Sequence, residues 1–240
     1  MRKISFLKNN LIAHRGLFKN GDIENSLKAF KNSIDNKCII ELDVHKTKDN
    51  KIVVFHDDNL KRLTGCDKNI IDCTLKEIKK LKLSDGQSIP TLNEVLTLVD
   101  GNVPLIIEIK TDSLCLILPF LYDLLDNYNG PFVVKSFSID IIKRIKEDRE
   151  KYLRGLLIGK TFKNIIKNII LIRRINKLDL DFISINKTIA FSNFIKVFKK
   201  LPILLWTIKD KNEYLKYKDN SYNLICENIE SFRRCIWKLV

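Results

Sequence analysis

The chain has 240 residues, 45% of them hydrophobic, with only 8 Gly and 5 Pro. That composition excludes a collagen, a linker-rich or low-complexity chain, and intrinsic disorder as the main state. Lys and Arg number 43 against 29 Asp and Glu, a formal net charge of +14. The excess favours anionic partners, but it is spread along the chain and tells little beyond their sign. Six cysteines with no C-x-x-C spacing, and only three histidines, argue against a Cys/His zinc site and for thiols in a reducing compartment. The apolar run from Ile4 to Leu7 falls short of the roughly 7–15 residues of a signal-peptide core. No run approaches the ~20 apolar residues of a membrane span. A soluble, cytoplasmic chain is expected.

Strand-like apolar runs are expected, in order, at Leu11–Ala13, Ile39–Val44, Ile52–Phe55, Pro104–Ile109, Phe132–Val134, Gly155–Ile158, Asp181–Ile185, Ile203–Trp206 and Leu224–Cys226. Stretches of helical spacing separate most of them, such as Leu27, Phe30 and Ile34, or Ile141, Ile142 and Ile145. Thr74 with Glu77, Thr91 with Glu94, and Asp210 with Glu213 read as capping boxes or their Asp analogue. Alternating β and α over the whole length predicts a parallel sheet. No Pro/Gly/Ser-rich linker divides the chain, so residues 1–240 are expected to form a single domain.

One connection has no room for a helix. Between Ile39–Val44 and Ile52–Phe55 lie only residues 45–51, and Asp49-Asn50 suits a tight turn because both residue types tolerate positive φ. A two-residue hairpin there would set His56 opposite Asp43 and Lys51 opposite Lys48. Without this hairpin strand, eight parallel strands remain. The expected fold is therefore α/β, a (β/α)8 TIM barrel with a β-hairpin after the second strand.

Polar residues interrupt the strands at their C-terminal ends, where such a barrel carries its active site. Glu41 and Asp43 alternate within an apolar strand, which points both carboxylates to one face. Glu108 and Lys110 repeat the pattern on another strand. Buried carboxylates are costly unless a cation sits between them, and oxygen ligands suit Mg²⁺ or Ca²⁺. His14 and His56 could serve as base and acid, while Arg15 and Lys110 could bind a phosphoryl group. Taken singly, each residue has an ordinary structural reading; taken together they suggest metal-assisted hydrolysis of a phosphate ester. His45 is read as facing away from Asp43, in a structural or solvated role.

Other signals are weaker. Gly155 to Thr161 lacks one residue between its glycines for a phosphate-binding loop and is apolar where a cradle must expose backbone N–H groups. The basic, Ile-rich segment 161–177 reads as a barrel helix, with an anionic membrane surface as the other reading. No nucleic-acid-binding signature is present.

Several motifs stand in order: His14-Arg15-Gly16, Glu24-Asn25-Ser26, Glu41-Leu42-Asp43-Val44, Thr47-Lys48-Asp49, Val53-Val54-Phe55-His56-Asp57, Ile89-Pro90-Thr91-Leu92, Glu108-Ile109-Lys110, Ser136-Phe137 and Trp206-Thr207. Over residues 11 to about 227 the chain resembles the glycerophosphodiester phosphodiesterase family. The resemblance implies a barrel enzyme that splits glycerophosphodiesters into sn-glycerol 3-phosphate and an alcohol, usually with a divalent cation. It implies His14 and His56 as the acid/base pair and Glu41, Asp43 and Glu108 as metal ligands. Arg15 and Lys110 would contact the phosphate as catalytic and substrate-binding groups, and Trp206 would help wall the glycerol or alcohol pocket. The chain departs from the family pattern at Ile23, where Pro is usual, and at Glu227-Asn228-Ile229-Glu230 in place of Thr-Asp-x-Pro. The alternatives are a related phosphodiesterase acting on lysophospholipid or a glycerophosphate polymer, and a non-catalytic basic protein docked on membranes. The expected partner is a small-molecule glycerophosphodiester; nucleic acid and an integral membrane segment are not expected, and peripheral membrane contact is compatible.

Overall fold

A computed structural model of the protein describes residues 4–8, 10–18, 21–110, 115–160, 172–192, 198 and 200–230. Every expected strand is present: β1 (Ile12–His14), β2 (Ile39–Lys46), β3 (Ile52–Val54), β4 (Leu105–Ile109), β5 (Phe132–Ser136), β6 (Arg154–Ile158), β7 (Phe182–Asn186), β8 (Ile203–Ile208) and β9 (Asn223–Cys226). These runs are short and mostly buried, as strands covered on both faces must be, with β8 half-buried at Ile203, Trp206 and Thr207. In the sheet the eight parallel strands follow chain order and β3 stands apart as the hairpin strand, which is the topology of a (β/α)8 barrel. The chain divides into two compact units, residues 13–132 in one and residues 1–12 with 133–240 in the other.

The 13–132 unit is organised by β2. Its parallel neighbour β4 sets Asp43 beside Glu108, and its antiparallel neighbour β3 pairs His45 with Val53. Among the described residues of this unit the α-helices are α1 (Leu27–Asp35), α2 (Lys61–Thr64), α3 (Leu75–Ile78), α4 (Leu92–Val99) and α5 (Leu118–Leu125). Complete capping boxes start α3 at Thr74/Glu77 and α4 at Thr91/Glu94. Each satisfies two amide donors that the helix start would otherwise leave open. On α1 the buried positions are Ala29, Phe30 and Ser33, so the buried stripe is centred on Phe30, with Leu27 and Ile34 at its half-buried edges. Gly16 makes this docking possible. It has φ +83°, and a Cβ there would lie 2.9 Å from Ala29 Cβ and 3.0 Å from Phe30 Cδ1.

The hairpin register differs from the expected one by a single residue. Thr47 and Lys51 close the loop, with Thr47 N donating to Lys51 O at 2.8 Å and Lys51 N donating to Thr47 Oγ1 at 2.9 Å. The loop is therefore the three residues 48–50, ending at Asn50 with φ 61°. This is a three-residue loop that closes on a left-handed residue, rather than the two-residue turn. Asp49 braces it by accepting from Thr47 Oγ1 at 2.7 Å and from Leu75 N at 2.9 Å. In consequence Phe55, not His56, lies opposite Asp43, and its amide donates to Asp43 O at 3.0 Å.

In the other unit β5 to β9 are successive parallel neighbours, with a register shift between Leu205 and Ile208 where β8 meets β9. Helix α6 (Ile139–Asp148) buries Ile141, Ile142 and Ile145, as its spacing predicts. Helix α7 (Lys211–Tyr217) begins at Asp210, which accepts from Glu213 N at 2.9 Å. Glu213 reaches back to Lys209 N at 2.8 Å, one residue before the position of a standard box. The N-terminal segment joins this unit through Asn223 Nδ2, which donates to Leu7 O at 2.5 Å and Asn10 O at 2.8 Å. Of the basic segment 161–177, residues 161–171 lie outside the described residues, and 172–176 are helical. Among the described residues no helix is long and apolar enough to cross a membrane.

Candidate active site

The turn that follows β1 places the first site residues. Arg15 has φ 57° and Asn25 φ 55°, left-handed conformations that Asn adopts more readily than most residues. Asn25 N donates to Arg15 O at 2.9 Å, so the two turns hold each other. Asn25 then clamps Asp43: its Nδ2 donates to Asp43 Oδ2 at 2.9 Å. Arg15 N donates to Glu41 Oε2 at 3.0 Å. Glu41 and Asp43 share a face of β2, and the parallel register brings Glu108 alongside. All three carboxylates are buried, and they offer one oxygen each within 4.8 Å of one another.

Such a cluster is stable only if its charge is compensated. Lys110 Nζ lies 2.7 Å from Asp43 Oδ1 and 2.7 Å from Glu108 Oε1, and Arg15 Nε lies 3.5 Å from Asp43 Oδ2. Burial alone would raise the Asp43 pKa, but Lys110 and Arg15 outweigh it and hold the carboxyl far below the usual carboxylate range. Burial pulls Lys110 down, yet Asp43 and Glu108 leave its ammonium above its ordinary value. Both groups are charged at neutral pH. Lys110 and Arg15 thus meet the charge of Asp43 directly, and the three carboxylates gather at one buried point. The donor set is hard, all oxygen and convergent, and it suits a divalent cation such as Mg²⁺ or Ca²⁺.

The two histidines are held differently. His14, at the end of β1, is buried with Nε2 4.0 Å from Glu41 Oε2, beyond hydrogen-bonding distance. His56 Nδ1 lies 2.6 Å from Asp57 Oδ1, and a carboxylate there fixes the tautomer and plane of an imidazole. Asp57 Oδ2 accepts from Arg62 Nε at 2.5 Å, and Arg62 Nη2 donates to Glu24 Oε1 at 2.5 Å. Glu24 Oε1 also accepts from Arg15 Nη1 at 2.7 Å. Partial burial would raise the Asp57 pKa; the bonds from Arg62 and His56 more than offset it and keep the carboxyl ionised.

His14, Arg15, Glu41, Asp43, His56, Glu108 and Lys110 thus all belong to the 13–132 unit. His45 does not face away from Asp43. Two residues apart on one strand, they share a face, and the buried His45 has Nε2 3.2 Å from His56 O. Burial holds the His45 imidazole below its ordinary pKa, against the bond to His56. Trp206 belongs to the other unit, where it lies beside Asn186 and meets Phe137 edge-on at 5.8 Å. Its buried Nε1 donates no hydrogen bond among the described residues. Glu24, Asn25 and Asp57 stood inside the quoted motifs without a role assigned to them. Arg62 carried no signal beyond a basic residue shortly after His56.

Comparison with known proteins agrees with this geometry. The model of the glycerophosphoryl diester phosphodiesterase family matches residues 14–223. A glycerophosphodiester phosphodiesterase from Caldanaerobacter subterraneus subsp. tengcongensis is 34% identical over 165 residues, which cover 63% of this chain and 67% of that protein. The crystal structure of a glycerophosphodiester phosphodiesterase from Thermotoga maritima has a TM-score of 0.77 at 28% identity, covering 95% of this chain and 98% of its own. An Oleispira antarctica phosphodiesterase in complex with the product sn-glycerol-3-phosphate has a TM-score of 0.82 at 22% identity, covering 96% and 97%.

Proposed function

Because the chain belongs to the glycerophosphoryl diester phosphodiesterase family, we propose that it hydrolyses glycerophosphodiesters to sn-glycerol 3-phosphate and an alcohol. Glycerophosphocholine and glycerophosphoethanolamine are the substrates considered first. The whole chain, 1–240, works in this reading as one barrel domain, in a reducing, cytoplasmic setting suited to its six cysteines. The observation that carries the reading is the convergence of Glu41, Asp43 and Glu108 on one buried point bridged by Lys110.

Glu41, Asp43 and Glu108 are the groups that would hold a divalent cation, Mg²⁺ or Ca²⁺. When bound, the cation neutralises the phosphodiester and lowers the pKa of an attacking hydroxyl or water. Arg15 and Lys110 bind the phosphoryl oxygens, a role supported by guanidinium and ammonium groups already held beside Asp43. His14 and His56 form the proton-transfer pair. One takes the proton of the attacking oxygen as the new P–O bond forms; the other gives a proton to the alcohol oxygen as the old P–O bond breaks. Asp57 engages His56 through Nδ1, which leaves Nε2 for the transfer. The family resemblance assigns Trp206, whose ring meets Phe137 edge-on, to the wall of the glycerol or alcohol pocket.

Purified protein supplied with a divalent cation is expected to release sn-glycerol 3-phosphate and choline in equal amounts from glycerophosphocholine, followed by enzymatic assay of both products. Release of phosphocholine, or of neither product, would overturn the reading. Faster turnover of acylated lysophospholipid than of the deacylated compound would move the substrate class.

A further inference from the structure

We propose that Arg62 is a positioning residue that locks the proton-transfer histidine and the phosphate-binding arginine into one frame. The inference rests on the functional reading above. Each half of the frame is a carboxylate shared between Arg62 and a site residue. Asp57 meets His56 through Oδ1 at 2.6 Å and Arg62 through Oδ2 at 2.5 Å. Glu24 Oε1 accepts from both Arg15 Nη1, at 2.7 Å, and Arg62 Nη2, at 2.5 Å. The guanidinium uses different nitrogens for the two carboxylates, a reach that a single ammonium does not reproduce.

The helix that carries Arg62 is anchored at its start. It sits on the one-turn helix α2, which opens after buried Leu60 and ends at Gly65 with φ 76°. Leu60 packs into a cluster with Val53, Phe55, Ile70, Cys73, Ile78, Leu83 and Ile89, so β3 and the loops after it anchor the helix. Arg62 itself is 45% exposed, whereas Glu24 and Asp57 are 15% and 26% exposed. A half-exposed ion pair adds little to fold stability. Its consequence lies in where it holds Asp57 and Glu24, whose other partners are His56 and Arg15.

The test measures sn-glycerol 3-phosphate release from glycerophosphocholine, together with Tm, for wild type, Arg62→Gln and Arg62→Lys. The same Arg62→Gln change is also made in a Glu24→Gln/Asp57→Asn background. Arg62→Gln is expected to lower kcat about 10–100-fold, the range typical of groups that orient site residues, with little change in Tm. Arg62→Lys should recover only part of that loss. In the double-variant background the further loss should be within about threefold, because residues acting as one unit are not additive. A kcat within about twofold of wild type for Arg62→Gln, or an equal loss in both backgrounds, overturns the proposal. ¹⁵N NMR of the His56 ring gives a readout independent of turnover. The Nδ1-protonated tautomer should predominate in wild type and lose population in Arg62→Gln, and an unchanged ring spectrum also overturns it. A wild type that releases no product counts against the functional reading, while the ring spectrum still decides the role of Arg62.

Discussion

Asp43→Asn is expected to lower sn-glycerol 3-phosphate release at least ~10³-fold and to destabilise the fold by roughly 3 kcal/mol at pH 7. Asp43 is 1% exposed and central to the site: Lys110, Arg15 and Asn25 all meet its carboxylate. An amide keeps the shape but removes the charge, leaving the half-buried Lys110 and Arg15 without the carboxylate they share. The pH dependence has a definite sign. The folded-state pKa of Asp43 is depressed by Lys110 and Arg15 despite burial. The stability it contributes is therefore complete above its unfolded value of about 3.9 and is lost as pH falls through the lower folded value. Protonated Asp43 resembles Asn. Urea unfolding of wild type and Asp43→Asn at a series of pH values should accordingly show a gap that is widest near neutrality and narrows in acid. A gap that stays constant with pH would show that Asp43 is not the charged centre of the cluster.

His56→Ala is expected to lower kcat by about 10²–10⁴, the usual weight of a positioned acid or base. The side chain is 34% exposed and its ring meets Asp57, so its removal opens no core cavity and Tm should move little. Steady-state kinetics with glycerophosphocholine, beside circular dichroism of the variant, measures this. Unchanged kcat with raised KM would make His56 a binding residue rather than a proton carrier. An equal loss for His14→Ala would be consistent with two histidines working as one acid/base pair.

Much of the architecture was legible because parallel barrel strands are short, buried on both faces and separated by capped helices. Ile39–Val44 and Pro104–Ile109 needed only their apolar content and flanking polar residues to be recognised. The convergence of Glu41, Asp43 and Glu108 followed from strand alternation and from charges set in apolar runs. What failed depended on contacts that periodicity does not encode. The hairpin slipped by one residue because Thr47 closes a three-residue loop through its own hydroxyl, with Asn50 taking the left-handed position. His45 is the exception, because strand alternation alone puts a residue two positions from Asp43 on the same face, and the expectation that it faces away misapplies that period. The run from His56 through Asp57, Arg62 and Glu24 to Arg15 is made of hydrogen bonds and ion pairs between residues up to 38 positions apart. No local pattern announces such pairing.

In the proposed mechanism three carboxylates of β2 and β4 hold a divalent cation on which turnover depends. Chelator-treated protein, titrated with Mg²⁺ or Ca²⁺ while sn-glycerol 3-phosphate release from glycerophosphocholine is followed, tests it most directly. The expected result is no turnover in EDTA, saturable recovery with one of the two ions, and no recovery for Glu41→Gln or Glu108→Gln at the same ion concentrations. Full activity in EDTA, or recovery in those variants equal to wild type, would contradict it.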